Sequence, residues 1–270
     1  MSKIKFQRKF LAIPYGIFLV LFVIIPMLLI IAYAFTYTDP VTGKTSLSLY
    51  NLTTFFSNVY NLHTFLISLA IGLGNTLICL IIGYPIAYIL AKKEHHFSYI
   101  VVLLFIMPMW INFVLRTAAT RDLLYTIGLS GGDHPYFATM LGMVYNYLPF
   151  TILPLYSVMI KLDNSLIEAS MDLGANKFQT FTKTIIPMTL PGIISAASMV
   201  FMPTMSSYVI SDVMGERQIS LIGNTIQLYF DQGLWNLGSF VALILLVIIL
   251  VFMFATRNME KTDDARGGLW

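Results

Sequence analysis

The chain has 270 residues, of which 57% are hydrophobic and 11% charged, with a mean hydropathy of +0.79. Soluble domains carry about 25% charged residues, so this composition excludes a water-soluble domain and describes an integral membrane protein. The net charge of +3 does not suggest nucleic-acid binding, and a lone cysteine, Cys79, excludes an intrachain disulfide.

The basic start, Met1–Lys9, runs into an apolar stretch that reaches Tyr37 without a small-residue cleavage site, the pattern of a retained span. Crossing a bilayer takes about 20 mostly apolar residues. Six segments qualify: 10–37, 64–91, 97–120, 136–160, 187–211 and 236–256. The expected fold is all-α, an integral membrane protein of six transmembrane helices. Pro26, Pro85, Pro108, Pro149, Pro154 and Pro203 fall inside five of the six. Such prolines kink membrane helices and leave carbonyls for neighbours to satisfy, which suits a transporter better than an anchor. The first span is uniformly apolar and is expected at the periphery.

With the N-terminus inside, twelve of the sixteen Lys and Arg residues fall in cytoplasmic segments, and only Lys44, Arg116, Arg121 and Arg217 fall outside. The positive-inside rule therefore puts both termini in the cytoplasm. In the outer loop, Thr42-Gly43-Lys44-Thr45 has the end of a phosphate loop. The first glycine of that motif would fall at Thr38, and no strand precedes it, so a turn is expected. Tyr50 to Tyr60 is amphipathic, fitting either a helix along the outer membrane face or a solvated loop.

The second span carries small residues and Asn75, suited to close helix packing and an interhelical hydrogen bond. His95-His96 lack spaced partners and read as a solvated turn rather than a metal site. In the third span, Trp110, Asn112 and Arg116 lie toward the outer end, where Arg116 can snorkel or pair with Asp122. Tyr145-Asn146-Tyr147-Leu148-Pro149 can line a pathway or staple two helices.

Asn164 to Ile194 is a polar interruption between spans, on the side where ATP is available. Ser165 three residues before Glu168 has the capping-box spacing that opens a helix. Gly174 is placed to close that helix, Asn176 to cap a second, and Pro187 with Pro191-Gly192 to start the next segment. Two short helices at a bend would make a knob for another protein to grip. Further on, Met205 to Asp231 contains Ser211-Asp212, with Tyr208 one helical turn earlier on the same face. A carboxylate at membrane depth is costly unless it meets a cation or water. Asp212 therefore reads either as a pathway residue with a Tyr208 cation–π face beside it, or as an interfacial carboxylate solvated outside. No nucleophile–base pair, metal set or complete phosphate loop stands out, as expected of a non-enzyme.

The 164–194 stretch resembles the EAA coupling loop of ABC-importer permeases. Glu168, Ala169, Gly174 and Pro187 match, while Ser170 replaces the second Ala, Thr184 an Ile and Ile186 a Leu. Ile82-Gly83-Tyr84-Pro85-Ile86-Ala87-Tyr88, Asp172-Leu173-Gly174-Ala175, Ser211-Asp212 and Leu221-Ile222-Gly223-Asn224 are similar to the spermidine/putrescine branch of that family. The resemblance implies a type I ABC importer permease fold with cytoplasmic coupling helices. Its parts would be an N-terminal helix and external loop (1–63), a permease core (64–256, with the coupling loop at 161–186) and a cytoplasmic tail (257–270). It implies a bacterial inner-membrane subunit of a polyamine importer. Its partners would be a second homologous permease, an ATPase dimer that binds the ATP and Mg, and an external substrate-binding protein. Glu168, Ala169, Ser170, Asp172, Gly174, Ala175 and Pro187 would couple to the ATPase. Asp212, Tyr208, Trp110 and Ser211 would line part of the substrate route, and Glu216, Tyr229 and Asp231 are candidates for meeting the binding protein. The alternatives are a same-architecture permease for an oxyanion or ferric ion, or an ATPase-independent channel or scaffold.

Overall fold

The computed structural model describes residues 12–39, 43–92 and 96–267. The expectations for Met1–Lys9, Lys93 and His95 lie outside those residues, as does Thr42. His96, expected in the same solvated turn as His95, is instead the first residue of a helix. Apolar runs without charged interruptions give long helices, because in hydrocarbon every backbone amide must bond within its own segment. Three described helical stretches are long and apolar enough to cross a membrane: Ile13–Ala34, Val59–Lys92 and Trp235–Thr256. Three bent pairs bring the count to six if each pair is one span.

By contact the chain forms two compact units, the described parts of Met1–Leu62 with Thr225–Leu246, and of His63–Asn224 with Val247–Trp270. In the first, α1 (Ala12–Leu19) continues through a π-helical turn into α2 (Ile25–Ala34). Only 6% of the Ile13–Ala34 window is buried, so lipid or another chain must cover this helix. A short hairpin, β1 (Thr36–Thr38) and β2 (Thr45–Leu47), follows, its register pairing Tyr37 with Ser46. Gly43 turns it at φ +66°, and Gly43 N–H donates to Asp39 O at 2.8 Å. Contrary to expectation a strand, β1, does precede the phosphate-loop lookalike. It is followed by β2 rather than the helix such a loop needs, so the lookalike is a hairpin turn. α3 (Tyr50–Ser57) buries Asn51 and Phe55. Asn51 Nδ2 donates to Ala34 O and Thr36 O, each at 2.9 Å, and Asn236 Nδ2 donates to Thr36 O at 2.8 Å. Two amides thereby satisfy carbonyls where the helix gives way to the hairpin.

In the second unit, α4 (Val59–Lys92, from His63 onward) packs with α7 (Pro135–Met159) and α11 (Leu190–Ser206). Small residues let the backbones approach: a Cβ on Gly83 would stand 2.7 Å from Thr151 Cγ2. Polar residues staple the helices. Asn75, fully buried, donates to Thr204 Oγ1 at 2.7 Å, and Tyr147 Oη donates to Pro203 O at 3.3 Å.

α4 and α7 continue as helices through Pro85, Pro149 and Pro154. The sharp bends lie elsewhere, and two expected spans change as a result. The segment 97–120 is α5 (His96–Ile106) with a 3₁₀ turn at Met107–Trp110, then α6 (Phe113–Thr126), bent by 98°. Pro108 tightens the turn, and Asn112 restarts the helix by accepting from Val114 N–H at 2.9 Å. The segment 187–211 is broken twice. α11 begins after a 67° bend at Thr189 and stops at Ser206, and α12 (Val209–Met214) is a separate short helix.

Candidate functional site

The polar interruption folds as the sequence suggests, with one change at its start. α8 (Asn164–Asp172) is capped by Asp163, whose carboxylate accepts from Ser165 N–H at 2.9 Å. Ser165 is therefore not the cap. Both residue types cap well, and the chain leaving α7 sets the first helical turn at Asn164. The bonds from Ser165 hold the Asp163 carboxyl below its ordinary pKa. At the other end Gly174 N–H donates to Met171 O at 2.9 Å and Ala175 N–H to Ser170 O at 3.2 Å, with Gly174 at φ +89°. Those two bonds make a Schellman stop. Asn176 and Gln179 form a reciprocal capping box that opens α9 (Lys177–Thr180). A π-helical segment (Phe181–Ile185) and α10 (Ile186–Met188) complete the knob.

Glu168, Ala169, Asp172, Gly174 and Pro187 are exposed, and Ser170 and Ala175 are half-buried. Two apolar side chains stand out at the tip, Leu173 (90% exposed) and Phe178 (74% exposed). Solvated apolar groups of that size mark a contact surface. Sequence reasoning did not single them out, because apolar residues are common throughout this chain. Ser170 Oγ lies 3.3 Å from Thr180 Oγ1 and accepts from Thr184 Oγ1 at 3.2 Å. Ser170 and Thr184, two departures from the family pattern, thus touch each other and tie α8 to the following segment.

The knob is anchored to the spans from inside. Phe181 meets Tyr84 edge-on at 5.6 Å and Tyr88 at 6.1 Å, both on α4. Tyr84 Oη lies 2.8 Å from Thr189 Oγ1 at the 67° bend. A push on the knob therefore reaches α4 and the start of α11 through packed contacts.

Toward the other end, Asp212 lies in the first turn of α12 and Tyr208 is its N-cap residue. Asn224, on α13 (Ile222–Asp231), joins the group. Its Nδ2 donates to Asp212 Oδ1 at 2.5 Å, and its Oδ1 accepts from Ser211 Oγ at 2.8 Å and from Leu221 N–H at 2.9 Å. Gly223 permits this closeness, since a Cβ there would stand 2.7 Å from Ser206 O. Asp212, Ser211 and Tyr208 are thus together, with Asp212 half-buried, Ser211 buried and Tyr208 39% exposed. Trp110, 86% exposed in the 3₁₀ turn, is not among their partners. Asn224 stands out in the sequence only as part of the Leu221–Asn224 likeness, and its pairing with Asp212 emerges once the break after Ser206 brings α12 beside it. Of the residues considered for an external partner, Tyr229 turns inward to Asn61 Oδ1 at 3.0 Å and Asp231 accepts from Gln227 at 2.8 Å. Glu216 is exposed, in a turn where it and Arg217 take φ of 48° and 61°.

Arg116 neither snorkels nor pairs with Asp122. Asp122 takes Arg121 at 2.7 Å, while Arg116 turns inward and donates to Asn146 Oδ1 from Nε at 3.1 Å and Nη2 at 2.6 Å. Asn146 also donates to Gly142 O at 2.8 Å. The Tyr145–Pro149 patch therefore staples helices.

The family of binding-protein-dependent transport system inner membrane components matches residues 6–262. A spermidine/putrescine transport system permease protein of Escherichia coli K12 is 38% identical over 263 residues, covering 90% of this chain and 95% of that protein. The Haemophilus influenzae protein of the same description is 34% identical, covering 95% of each. Among solved structures, a bacterial ABC transporter involved in the import of alginate superposes with TM-score 0.64 at 16% identity, covering 93% of this chain and 94% of that one.

Proposed function

The chain belongs to the family of binding-protein-dependent transport system inner membrane components, and on that premise we propose that it is a permease subunit of an ATP-driven importer of polyamines. It forms half of the translocation pathway and couples to a cytoplasmic ATPase pair that binds ATP and Mg. A second homologous permease supplies the other half, and an external binding protein delivers spermidine or putrescine. N- and C-termini lie in the cytoplasm. The relatives named for spermidine/putrescine transport support the substrate class.

The observation that carries the substrate reading is the Asp212 cluster. A half-buried carboxylate is held by the neutral amide of Asn224, which also donates to the backbone carbonyl of the partly exposed Tyr208. Orientation by a neutral amide leaves the negative charge uncompensated, which suits a passing ammonium group. The Asn224 amide fixes the carboxylate, and Ser211 fixes the amide. A polycation needs several such stations, so Asp212 is one of a series shared with the second permease.

The coupling reading rests on the knob at 163–188. Leu173 and Phe178 seat in the ATPase, Glu168, Ala169 and Asp172 flank them on α8, and Gly174, Ala175 and Pro187 set the bends. The chemistry of hydrolysis belongs to the partner; this chain moves α4 and α11 in response. The test is ATP hydrolysis and uptake by the reconstituted complex with its binding protein, with and without spermidine or putrescine, for the unchanged chain and Asp212→Asn. Polyamine stimulation is expected, with uptake by the variant down about tenfold, the loss of one charge-assisted contact. Stimulation by a different solute and by neither polyamine would sink the substrate reading while leaving the coupling reading standing.

A further inference from the structure

Arg116 is nine-tenths buried, and its described partners are uncharged: one carbonyl oxygen, which takes both Nε and Nη2, and the Tyr145 ring, 5.3 Å from the guanidinium carbon. Nη1 is buried with no hydrogen-bond partner among the described residues. A guanidinium buried without an anion is costly, and a buried donor left unmade adds to that cost. The neighbouring Arg121 shows the contrast, because it has its carboxylate, Asp122, at 2.7 Å. Arg116 also forms part of the wall of an open groove, with Tyr145, Ile111, Leu115, Ala119 and Leu123. Leu115, Ala119 and Leu123 recur at four-residue spacing along α6, and Leu115 and Leu123 are 68% and 64% exposed.

We propose that this groove is a phospholipid site, in which the headgroup phosphate is received by Arg116 and an acyl chain runs along Leu115, Ala119 and Leu123. The charge calls for an oxyanion, and the aliphatic wall calls for hydrocarbon attached to it. Depth agrees: α6 turns by 98° from the stretch ending at Trp110 (86% exposed), which precedes its first turn, and Tyr125 (72% exposed) lies in its last turn. Exposed Trp and Tyr favour the headgroup level. Since Nη1 is enclosed in this state, the guanidinium must swing toward the groove to meet a phosphate. It can do so by releasing one of its two bonds to Asn146 Oδ1 and keeping the other. Arginine suits this role, since its fork pairs with phosphate through two parallel donors. The site is independent of which solute is transported.

The test is native mass spectrometry and lipid extraction on the transporter purified in mild detergent, alongside Arg116→Gln and Ala119→Trp. The second variant fills the groove without removing a hydrogen bond, and it decides the question if the first does not assemble. The unchanged chain is expected to keep a phospholipid through delipidation and to regain it from phosphatidylglycerol vesicles. Both variants are expected to retain about tenfold less, Arg116→Gln because it loses one charge-assisted contact and Ala119→Trp because its ring occupies the acyl-chain path. Displacement of the bound lipid by inorganic phosphate alone would indicate a free-oxyanion site and overturn the lipid assignment. An unchanged chain that carries no lipid, or variants that carry as much, would overturn the site altogether.

Discussion

Gly174 shows how one residue can be required for its backbone alone. It sits at φ +89°, and nothing lies within 4 Å of where a Cβ would stand. Side-chain size is therefore irrelevant there, whereas the left-handed backbone costs a non-glycine residue about 1–2 kcal/mol. Gly174→Ala and Gly174→Leu are expected to loosen the end of α8 to a similar degree, with Gly174→Asn milder because Asn tolerates that region. Hydrogen exchange at the amides of Gly174 and Ala175, together with polyamine-stimulated ATP hydrolysis, would check this. A graded loss that follows volume would mean that the partner surface, not the backbone, sets the constraint. Gly142 is the opposite case: a Cβ there would stand 2.6 Å from Met214 Cγ, so size alone would matter.

At the scale of elements, the link between knob and spans is a small aromatic cluster. Phe181, half-buried on the π-helical segment, meets Tyr84 and Tyr88 at 5.6 and 6.1 Å. Each such pair contributes about 0.5–1.5 kcal/mol beyond its buried area. Phe181→Ala is expected to leave the knob's exposed face intact but to slacken its grip on α4. Uptake should fall about tenfold, equivalent to about 1.4 kcal/mol, with ATP hydrolysis persisting and responding poorly to substrate. Equal loss of hydrolysis and uptake would instead point to failed docking. Much of this element was legible in the sequence, because Gly174 and the Asn176 box act locally and caps are local signals. The helix start was misplaced, since Asp163 and Ser165 offer the same chemistry two residues apart and only the path of the preceding helix chooses. The 98° break in the third span was hidden by its apolarity, although Pro108 followed by a capping Asn112 is a stop-and-start signal. The partners of Asp212 and Arg116 were not legible at all. Asn224 and Asn146 lie 12 and 30 residues away from them, and only the packed helices bring them close.

For the whole molecule the decisive quantity is orientation, because the coupling reading needs the knob and the ATPase on one side. Twelve basic residues against four argue that 163–188 is cytoplasmic and that the β1–β2 hairpin is external. The chain makes this testable: its lone cysteine, Cys79, is fully buried. With Cys79→Ala as background, Leu173→Cys and Lys44→Cys each place one thiol on an exposed tip of the described chain. A membrane-impermeant maleimide is expected to label Leu173→Cys in inverted vesicles only and Lys44→Cys in intact spheroplasts only. Adding the ATPase pair should then protect Leu173→Cys and leave Lys44→Cys unaffected, since a 90% exposed leucine at a docking surface becomes buried on assembly. The reversed labelling pattern would put the knob outside and remove the basis for coupling through it. Correct labelling without protection would keep the orientation and move the contact to another part of the 163–188 surface.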